Sequence, residues 1–99
     1  MKKEYKFYIY ILSNKRNGTL YIGVTNSLFT RTFQHKLKED LSSFTAKYNI
    51  SKLVYYESYQ FVQDAIQREK ELKKWNRQWK IELIEKENPA WRDLFYDME

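Results

Sequence analysis

Glu69 is a carboxylate in a segment whose apolar residues recur at helical spacing. Over residues 62–74, one helical stripe carries Val62, Ala65, Ile66 and Leu72. Glu69 falls on that stripe, where a leucine would be expected. Because a buried, ionised carboxylate needs a cationic partner or a bound cation, Glu69 is predicted either to hold a metal ion or to form a structural ion pair with a lysine or arginine.

Two tyrosines and a glycine are predicted to share one face of a β-hairpin. Tyr10 and Tyr21 have opposite number parity, so a connection with an even number of loop residues places both rings on the same face. Gly23 lies on that face beside Tyr21, and a glycine inside a strand often marks a place where another group approaches the backbone closely. These three residues leave open whether the phenols do chemistry or pack on a half-buried sheet.

Arg31 and His35 combine a permanent cation with a titratable imidazole. They stand four residues apart and therefore lie on one face of a predicted helix. That face is predicted to point outward, away from Phe29, Phe33 and Leu37. The pair is either a site for an anion or ordinary solvated surface.

The elements that position these residues follow from periodicity and turn signals. The pattern predicts strands over Phe7–Leu12, Leu20–Val24 and Lys52–Glu57, helices over Ser27–Lys38 and Val62–Lys74, and a loop over Asp40–Ile50. Asn17-Gly18 is a hairpin turn signal. The first helix is predicted to bury Leu28, Phe29, Thr32, Phe33 and Leu37. Apolar clusters at 79–84 and 91–95 flank Pro89 and predict a helix, a break and a short closing helix. The order β-β-α-β-α-(α) implies an α+β fold, a small three-stranded antiparallel sheet flanked by helices.

Composition limits the possible functions. The 99 residues, 42% hydrophobic and 18% aromatic, predict one domain over residues 1–99. Without cysteine and with one histidine, the expected metal is a hard, oxygen-bound cation. The longest apolar run is too short for a membrane span and no signal-peptide pattern is present, so we expect a cytoplasmic protein without a membrane partner. A formal net charge of +5 favours a polyanionic partner.

Three short motifs occur together in order. Tyr8-Ile9-Tyr10, then Tyr21-Ile22-Gly23, then Arg31, His35 and Glu69 resemble the signature of the GIY-YIG nuclease family. The segments 21–26, 68–70 and 87–94 are similar to the small single-domain bacterial members. Related domains occur in the excinuclease C subunit of nucleotide excision repair and in phage homing endonucleases. Tyr8 stands where the family name has glycine, which leaves the shape of the pocket beside Tyr10 open.

The resemblance implies a metal-dependent endonuclease that hydrolyses phosphodiester bonds in nucleic acid, with DNA rather than RNA as the expected substrate, in a repair, recombination or processing role. It implies that Glu69 holds one Mg²⁺ or Mn²⁺ ion and that Arg31 binds phosphoryl oxygens. His35 would add a hydrogen bond, and the products would carry a 5′-phosphate and a 3′-hydroxyl. The general base stays open among Tyr10, Tyr21 and His35, because a phenol needs nearby cations to lower its pKa.

Cations near the predicted site are candidates to contact backbone phosphates. They are Lys36, Lys47 and Lys73, with Lys38, Lys74 and Arg77 as further candidates. Tyr48 or Trp75 is available to stack on an unpaired base. A protein partner that supplies targeting is also expected. Two alternatives remain: a nucleic-acid-binding module of the same fold without useful turnover, and a protein-interaction domain.

Overall fold

The computed structural model of the chain describes residues 6–37 and 47–98. Its elements are β1 (Phe7–Ser13), β2 (Leu20–Thr25), α1 (Leu28–Lys36), β3 (Lys52–Tyr59), α2 (Val62–Lys74), α3 (Arg77–Glu87) and one 3₁₀ turn (Leu94–Asp97). The strands form an antiparallel sheet in the order β2-β1-β3. The predicted α+β fold and its order of elements are therefore confirmed. Lys38 and residues 40–46 of the predicted loop lie outside the described residues.

The β1–β2 hairpin closes as the turn signal predicts. The connection runs from Asn14 to Thr19, an even number of residues, and places Tyr10 opposite Gly23 and Leu12 opposite Tyr21. Asn17 takes a left-handed conformation with φ 57°, which asparagine tolerates better than most residues. A Cβ on Gly18 would lie 1.9 Å from Asn14 Oδ1, so the turn requires a glycine there. The prediction that both tyrosines share one sheet face is confirmed.

The two faces of the sheet bury different kinds of side chains. On the first, which we call the core face, Ile9, Ile11 and Ile22 pack in one cluster with residues of α2 and α3. On the second, the tyrosine face, Tyr10 and Leu12 are buried beneath α1, with Tyr21 packed against them. The buried apolar side chains of both faces stabilise the fold by removing apolar area from water.

Helix α1 is rotated relative to the orientation that periodicity predicted. Its buried residues are Leu28, Thr32 and His35, at positions i, i+4 and i+7. Phe29, Phe33 and Leu37 are 49%, 44% and 55% exposed, so the prediction that they are buried was wrong, whereas Leu28 and Thr32 are buried as predicted. The physical reason is a tertiary partner, since both phenylalanine rings stack on Phe95 of the 3₁₀ turn. The prediction that His35 points outward was wrong for the same reason.

The C-terminal elements also differ in detail from the predicted pattern. On α2, Ala65 and Leu72 are buried while Val62 and Ile66 are exposed, so the apolar stripe is narrower than predicted. Helix α3 ends at Glu87, two residues before Pro89, as the break predicts. The closing helix is a single 3₁₀ turn. None of the described helices is long and apolar enough to cross a membrane.

Candidate active site

The candidate site is built around Tyr10, in the central strand of the sheet. Its ring lies directly over Gly23 on β2, since a Cβ at position 23 would be 2.5 Å from the Tyr10 hydroxyl oxygen. Glycine is therefore required there, and the group that approaches its backbone is the Tyr10 ring itself. This contact holds the phenol flat against the neighbouring strand and keeps it buried.

Tyr21 and His35 complete an aromatic cluster with Tyr10. The His35 ring centroid lies 6.1 Å from that of Tyr10 and 5.5 Å from that of Tyr21, and the two tyrosine centroids are 6.3 Å apart. The Tyr10 hydroxyl lies 3.5 Å from His35 Nε2, which is long for a hydrogen bond. The buried face of α1 thus carries an imidazole to a pair of phenols on the sheet.

Arg31 stands one helical turn before His35 and is partly buried. Burial lowers the pKa of His35, and the Arg31 charge lowers it further. His35 is therefore neutral at pH 7 and able to accept a proton. Arg31 also lowers the pKa of Tyr10, so its charge acts on both members of the hydrogen-bonding pair.

The electrostatics of Tyr10 are dominated by burial. Burial raises the pKa of Tyr10 well above its usual value, Tyr21 and Glu69 raise it further, and the opposing effect of Arg31 is smaller. An ionised Tyr10 is therefore scarce at neutral pH. A role as a general base at this pH requires either additional positive charge or a second acceptor for the proton.

Glu69 reaches the same site from α2. Its charge acts on the pKa of Tyr10, which places it within electrostatic range of the phenol. Its side chain is 21% exposed and forms an ion pair with Lys73 at 3.4 Å, one helical turn further on. Since the Lys73 side chain is 54% exposed, this is a surface ion pair and contributes little to stability.

A divalent ion at this site would have to be held by very few protein groups. Among the residues that the structure describes, no three carboxylate, imidazole or thiol groups converge on a metal-binding point. Mg²⁺ is commonly bound through one or two carboxylates, with water and phosphate oxygens as the other ligands. Glu69 fits that requirement, because its carboxylate is accessible and its lysine partner is free to turn away into solvent.

The lysines predicted to contact phosphates have different environments. Lys36 is mostly buried, forms an ion pair with Asp93 and donates to the carbonyl of Ser51, so it ties α1 to neighbouring segments. Lys47 is exposed and lies over the Tyr48 ring. Lys73 is exposed beside Glu69. Of the three, Lys73 is the cation placed at the site.

A second polar cluster, on β3 and α2, was missed from the sequence. The Glu57 carboxylate accepts hydrogen bonds from Tyr55, from Tyr59 at 2.5 Å, and from two nitrogens of Arg68 at 3.0 and 3.1 Å. Arg68 also lies over the Trp75 ring. This cluster fixes α2 against β3 at the residue that precedes Glu69. The available signal was the alternation of Tyr55, Glu57 and Tyr59 on one face of a strand.

Burial by itself would raise the pKa of Glu57, but the hydrogen bonds from Arg68, Tyr55 and Tyr59 outweigh that effect and lower it. The same interactions act on the tyrosines in the other direction. Burial and the hydrogen bond to Glu57 raise the pKa of Tyr59 to about 12. The carboxylate is therefore ionised and its four acceptor positions are occupied.

The chain forms a small α+β domain with this candidate site on the tyrosine face of its sheet. The model of the GIY-YIG catalytic domain matches residues 6–82, and the chain belongs to the GIY-YIG family. Members of this family are generally endonucleases that act on nucleic acid with divalent metal ions.

Two relatives are small proteins of similar length. A UPF0213 protein of Staphylococcus saprophyticus subsp. saprophyticus is 34% identical over 79 residues, which cover 80% of this chain and 94% of that protein. A UPF0213 protein of Staphylococcus haemolyticus is 34% identical over 80 residues, covering 81% of this chain and 95% of that protein. No solved structure matches the chain.

Proposed function

We propose that this protein is an endonuclease dependent on Mg²⁺ or Mn²⁺ that hydrolyses phosphodiester bonds in nucleic acid, with DNA as the expected substrate. The observation that supports this most is the convergence of four groups on Tyr10. Gly23 lies under its ring, His35 lies 3.5 Å from its hydroxyl, and the charges of Arg31 and Glu69 act on its pKa. A role in repair, recombination or processing, with a protein partner for targeting, belongs to the same proposal.

The first task of the site is to compensate negative charge on the phosphate. Arg31 is a planar, permanently charged guanidinium that binds phosphoryl oxygens with two parallel hydrogen bonds. Glu69 would hold the Mg²⁺ or Mn²⁺ ion, and the chemistry supplied by that ion is positive charge at the scissile phosphate. Glu69 and Arg31 come from different helices, so the ion and the guanidinium would be supplied by separate elements of the fold.

The second task is to accept a proton from the attacking water. Tyr10 is protonated at neutral pH, because burial raises its pKa, whereas His35 is neutral. We therefore assign His35 as the final proton acceptor: water donates to the Tyr10 oxygen as Tyr10 passes its own proton to His35 Nε2. Tyr21 orients the water or the phosphate from the neighbouring strand. The 3.5 Å separation has to shorten when substrate binds.

The test is a cleavage assay on labelled branched, nicked, single-stranded and duplex substrates, each with Mg²⁺, Mn²⁺ or EDTA. A Glu69→Gln protein purified in parallel controls for contaminating nuclease. We expect cleavage of at least one DNA substrate with either metal ion, products with a 5′-phosphate and a 3′-hydroxyl, and none in EDTA. Failure to cut any substrate, or equal cutting in EDTA, would contradict the proposal.

A nucleic-acid-binding module without turnover is the second candidate. The ion pair between Glu69 and Lys73 favours it, because a carboxylate that keeps this partner does not bind a metal ion. This candidate requires binding that weakens steeply with salt and no cleavage with any metal ion. Weak binding that is insensitive to salt would instead indicate a protein-interaction domain.

A further inference from the structure

A polar cleft of about 590 Å³ lies between the β1–β2 turn and the start of α3. We call it the hairpin cleft. The residues that matter for its chemistry are Asn14, Lys15, Gly18, Thr19, Arg77 and Lys80. It is separate from the cluster around Tyr10, because none of the candidate active-site residues lines it.

The hairpin cleft carries positive charge that no acidic side chain among the described residues neutralises. Three cations, Lys15, Arg77 and Lys80, line it together with no carboxylate. None of the three takes part in an ion pair within residues 6–37 and 47–98. By contrast, Lys36 and Arg68 are each held by an acidic side chain. Lysine, arginine, asparagine and threonine donors together are the side chains that contact backbone phosphates.

The walls of the cleft are held in place by hydrogen bonds. One Arg77 guanidinium nitrogen donates to the carbonyls of Asn17 and Gly18 at 2.5 and 2.6 Å, which joins α3 to the turn. Within the turn, Asn14 Oδ1 accepts from the Thr19 amide at 3.0 Å, and the Gly18 amide donates to the Lys15 carbonyl at 2.9 Å. The cleft is therefore shaped before any ligand binds.

Its position fits a nucleic acid that extends from the candidate active site. Thr19 immediately precedes β2 and lies two residues before Tyr21, a distance of about 7 Å at 3.3 Å per extended residue. Gly18, at the turn, is about 10 Å from Tyr21 by the same measure. One strand of duplex DNA rises about 3.4 Å per nucleotide, so these distances correspond to two or three nucleotides. Lys73 stands one turn beyond Glu69 on α2, toward the start of α3.

We infer that the hairpin cleft binds backbone phosphates of the nucleic acid two or three nucleotides from the scissile bond. This inference rests on the proposed function, since it identifies where the same substrate continues beyond the site. The contacts are to phosphate oxygens only, so the cleft contributes affinity and register without reading base sequence.

The first measurement is binding of a fluorescent DNA duplex in EDTA across a salt series. Lys15→Gln combined with Lys80→Gln removes two proposed contacts. Each contact accounts for a salt slope of about 0.9, so the slope should fall by about 1.8 and the affinity by roughly sixtyfold at 0.1 M salt. Lys70→Gln combined with Lys86→Gln is the matched control, with the same loss of charge at exposed positions outside the cleft. Equal slopes and affinities for the two double variants would overturn the inference.

The second measurement separates the cleft from the active site. The chain has two glycines, Gly18 in the cleft and Gly23 under Tyr10, so labelling with ¹⁵N-glycine gives one amide signal for each region. Titration with the duplex in EDTA should shift both signals in the parent, and chiefly that of Gly23 in the Lys15→Gln, Lys80→Gln protein. If the duplex shifts the Gly23 signal but not the Gly18 signal in the parent, the inference that the cleft binds phosphates is overturned and the proposed function still stands. A shift of the Gly18 signal alone supports phosphate binding at the cleft and contradicts substrate binding at the candidate active site. If neither signal shifts, both the inference and the proposed function are overturned.

Discussion

Glu57 and Glu69 are two glutamates of nearly equal burial, with side chains 19% and 21% exposed, in very different surroundings. Glu57 accepts four hydrogen bonds, two of them from Arg68, whose side chain is itself only 23% exposed. Glu69 has an ion pair at 3.4 Å with an exposed lysine. A carboxylate whose acceptor positions are filled by protein donors cannot bind a metal ion without losing them, whereas a carboxylate held by a mobile lysine can.

The same contrast separates the two pairs of tyrosines. Tyr55 and Tyr59 donate to Glu57, so their hydroxyl groups already have a charged partner. Tyr10 faces an uncharged partner, since its hydroxyl lies 3.5 Å from Nε2 of His35, whose pKa is lowered by burial and by the Arg31 charge. Burial therefore does not distinguish the Glu57 cluster from the candidate active site, whereas the partners of their polar groups do.

Substitution of Glu69 should have the largest effect on function. Glu69→Gln keeps the shape but removes the charge that would hold the ion, so metal-dependent cleavage should fall about a thousandfold or more, since a bound metal ion supplies several kcal/mol of charge stabilisation. Nucleic-acid binding in EDTA should stay close to that of the parent. The free energy of unfolding should change by less than about 1 kcal/mol, because the pair with Lys73 is exposed.

Single-turnover cleavage and urea unfolding of the parent and Glu69→Gln check this prediction. Glu57→Gln is the matched control, as it removes a charge of the same kind at similar burial. A Glu69→Gln protein that unfolds far more easily yet still cuts would reverse the roles assigned to the two glutamates.

Substitution of Arg31 should have the next largest effect on cleavage. Arg31→Ala should lower single-turnover cleavage about a hundredfold, since one well-placed donor to a developing charge contributes on the order of 3 kcal/mol. Most of the binding affinity should remain, because the interaction strengthens as the transition state forms. Rate measurements at saturating protein, together with binding in EDTA, separate the two effects. Unchanged cleavage would make Arg31 a surface cation.

Removal of Glu57 should chiefly affect stability. Glu57→Ala leaves Arg68 and two tyrosine hydroxyls without their acceptor, and we expect a loss of about 2 kcal/mol, less than the roughly 3–5 kcal/mol of a fully buried pair. Glu71→Ala is the control, because Glu71 also pairs with Arg68 but is 47% exposed and should cost less than about 1 kcal/mol. Urea unfolding of both variants checks the difference. Equal losses would mean that the cluster adds nothing beyond a surface pair.

This cluster also predicts a response to acid. The folded-state pKa of Glu57 lies below the ordinary value of 4.5, so its contribution to stability is present above pH 4.5 and is lost as the pH falls through the folded pKa. Glu57→Gln should remove this part of the acid dependence. An identical acid dependence in the parent and the variant would show that Glu57 is not the group responsible.

The smallest effect expected is the pH dependence that comes from His35. Burial and the nearby Arg31 charge lower its folded-state pKa below 6.5, so near this pH the unfolded chain binds more protons than the folded protein. The stability of the parent should therefore decline as the pH falls below 6.5, and His35→Gln should lack this part of the decline. Urea unfolding between pH 7.5 and 5.5 measures it. A constant difference between parent and variant across that range would indicate that His35 does not titrate as described.

Much of the site follows from short-range rules. The parity of Tyr10 and Tyr21, with an even connection closed by Asn17-Gly18, is enough to place both phenols and Gly23 on one face. Side chains alternate between the two sheet faces with a period of two residues, and the turn has its own sequence signal. No distant contact is therefore needed to place these residues on one face. The position of Glu69 on α2 follows from helical periodicity in the same way.

The rotation of α1 and the partners of each glutamate were decided by tertiary structure. Periodicity favoured Phe29 and Phe33 as the buried side, but Phe95, more than sixty residues later in the chain, stacks on them and leaves Thr32 and His35 to face the sheet. In the same way, nothing in the sequence shows that Glu57 and Glu69 differ in their partners. The difference arises because β3 and α2 pack together and Arg68 donates two hydrogen bonds to Glu57. A helix with two possible apolar faces is oriented by whatever packs against it, and a carboxylate is saturated only by donors that the fold brings to it.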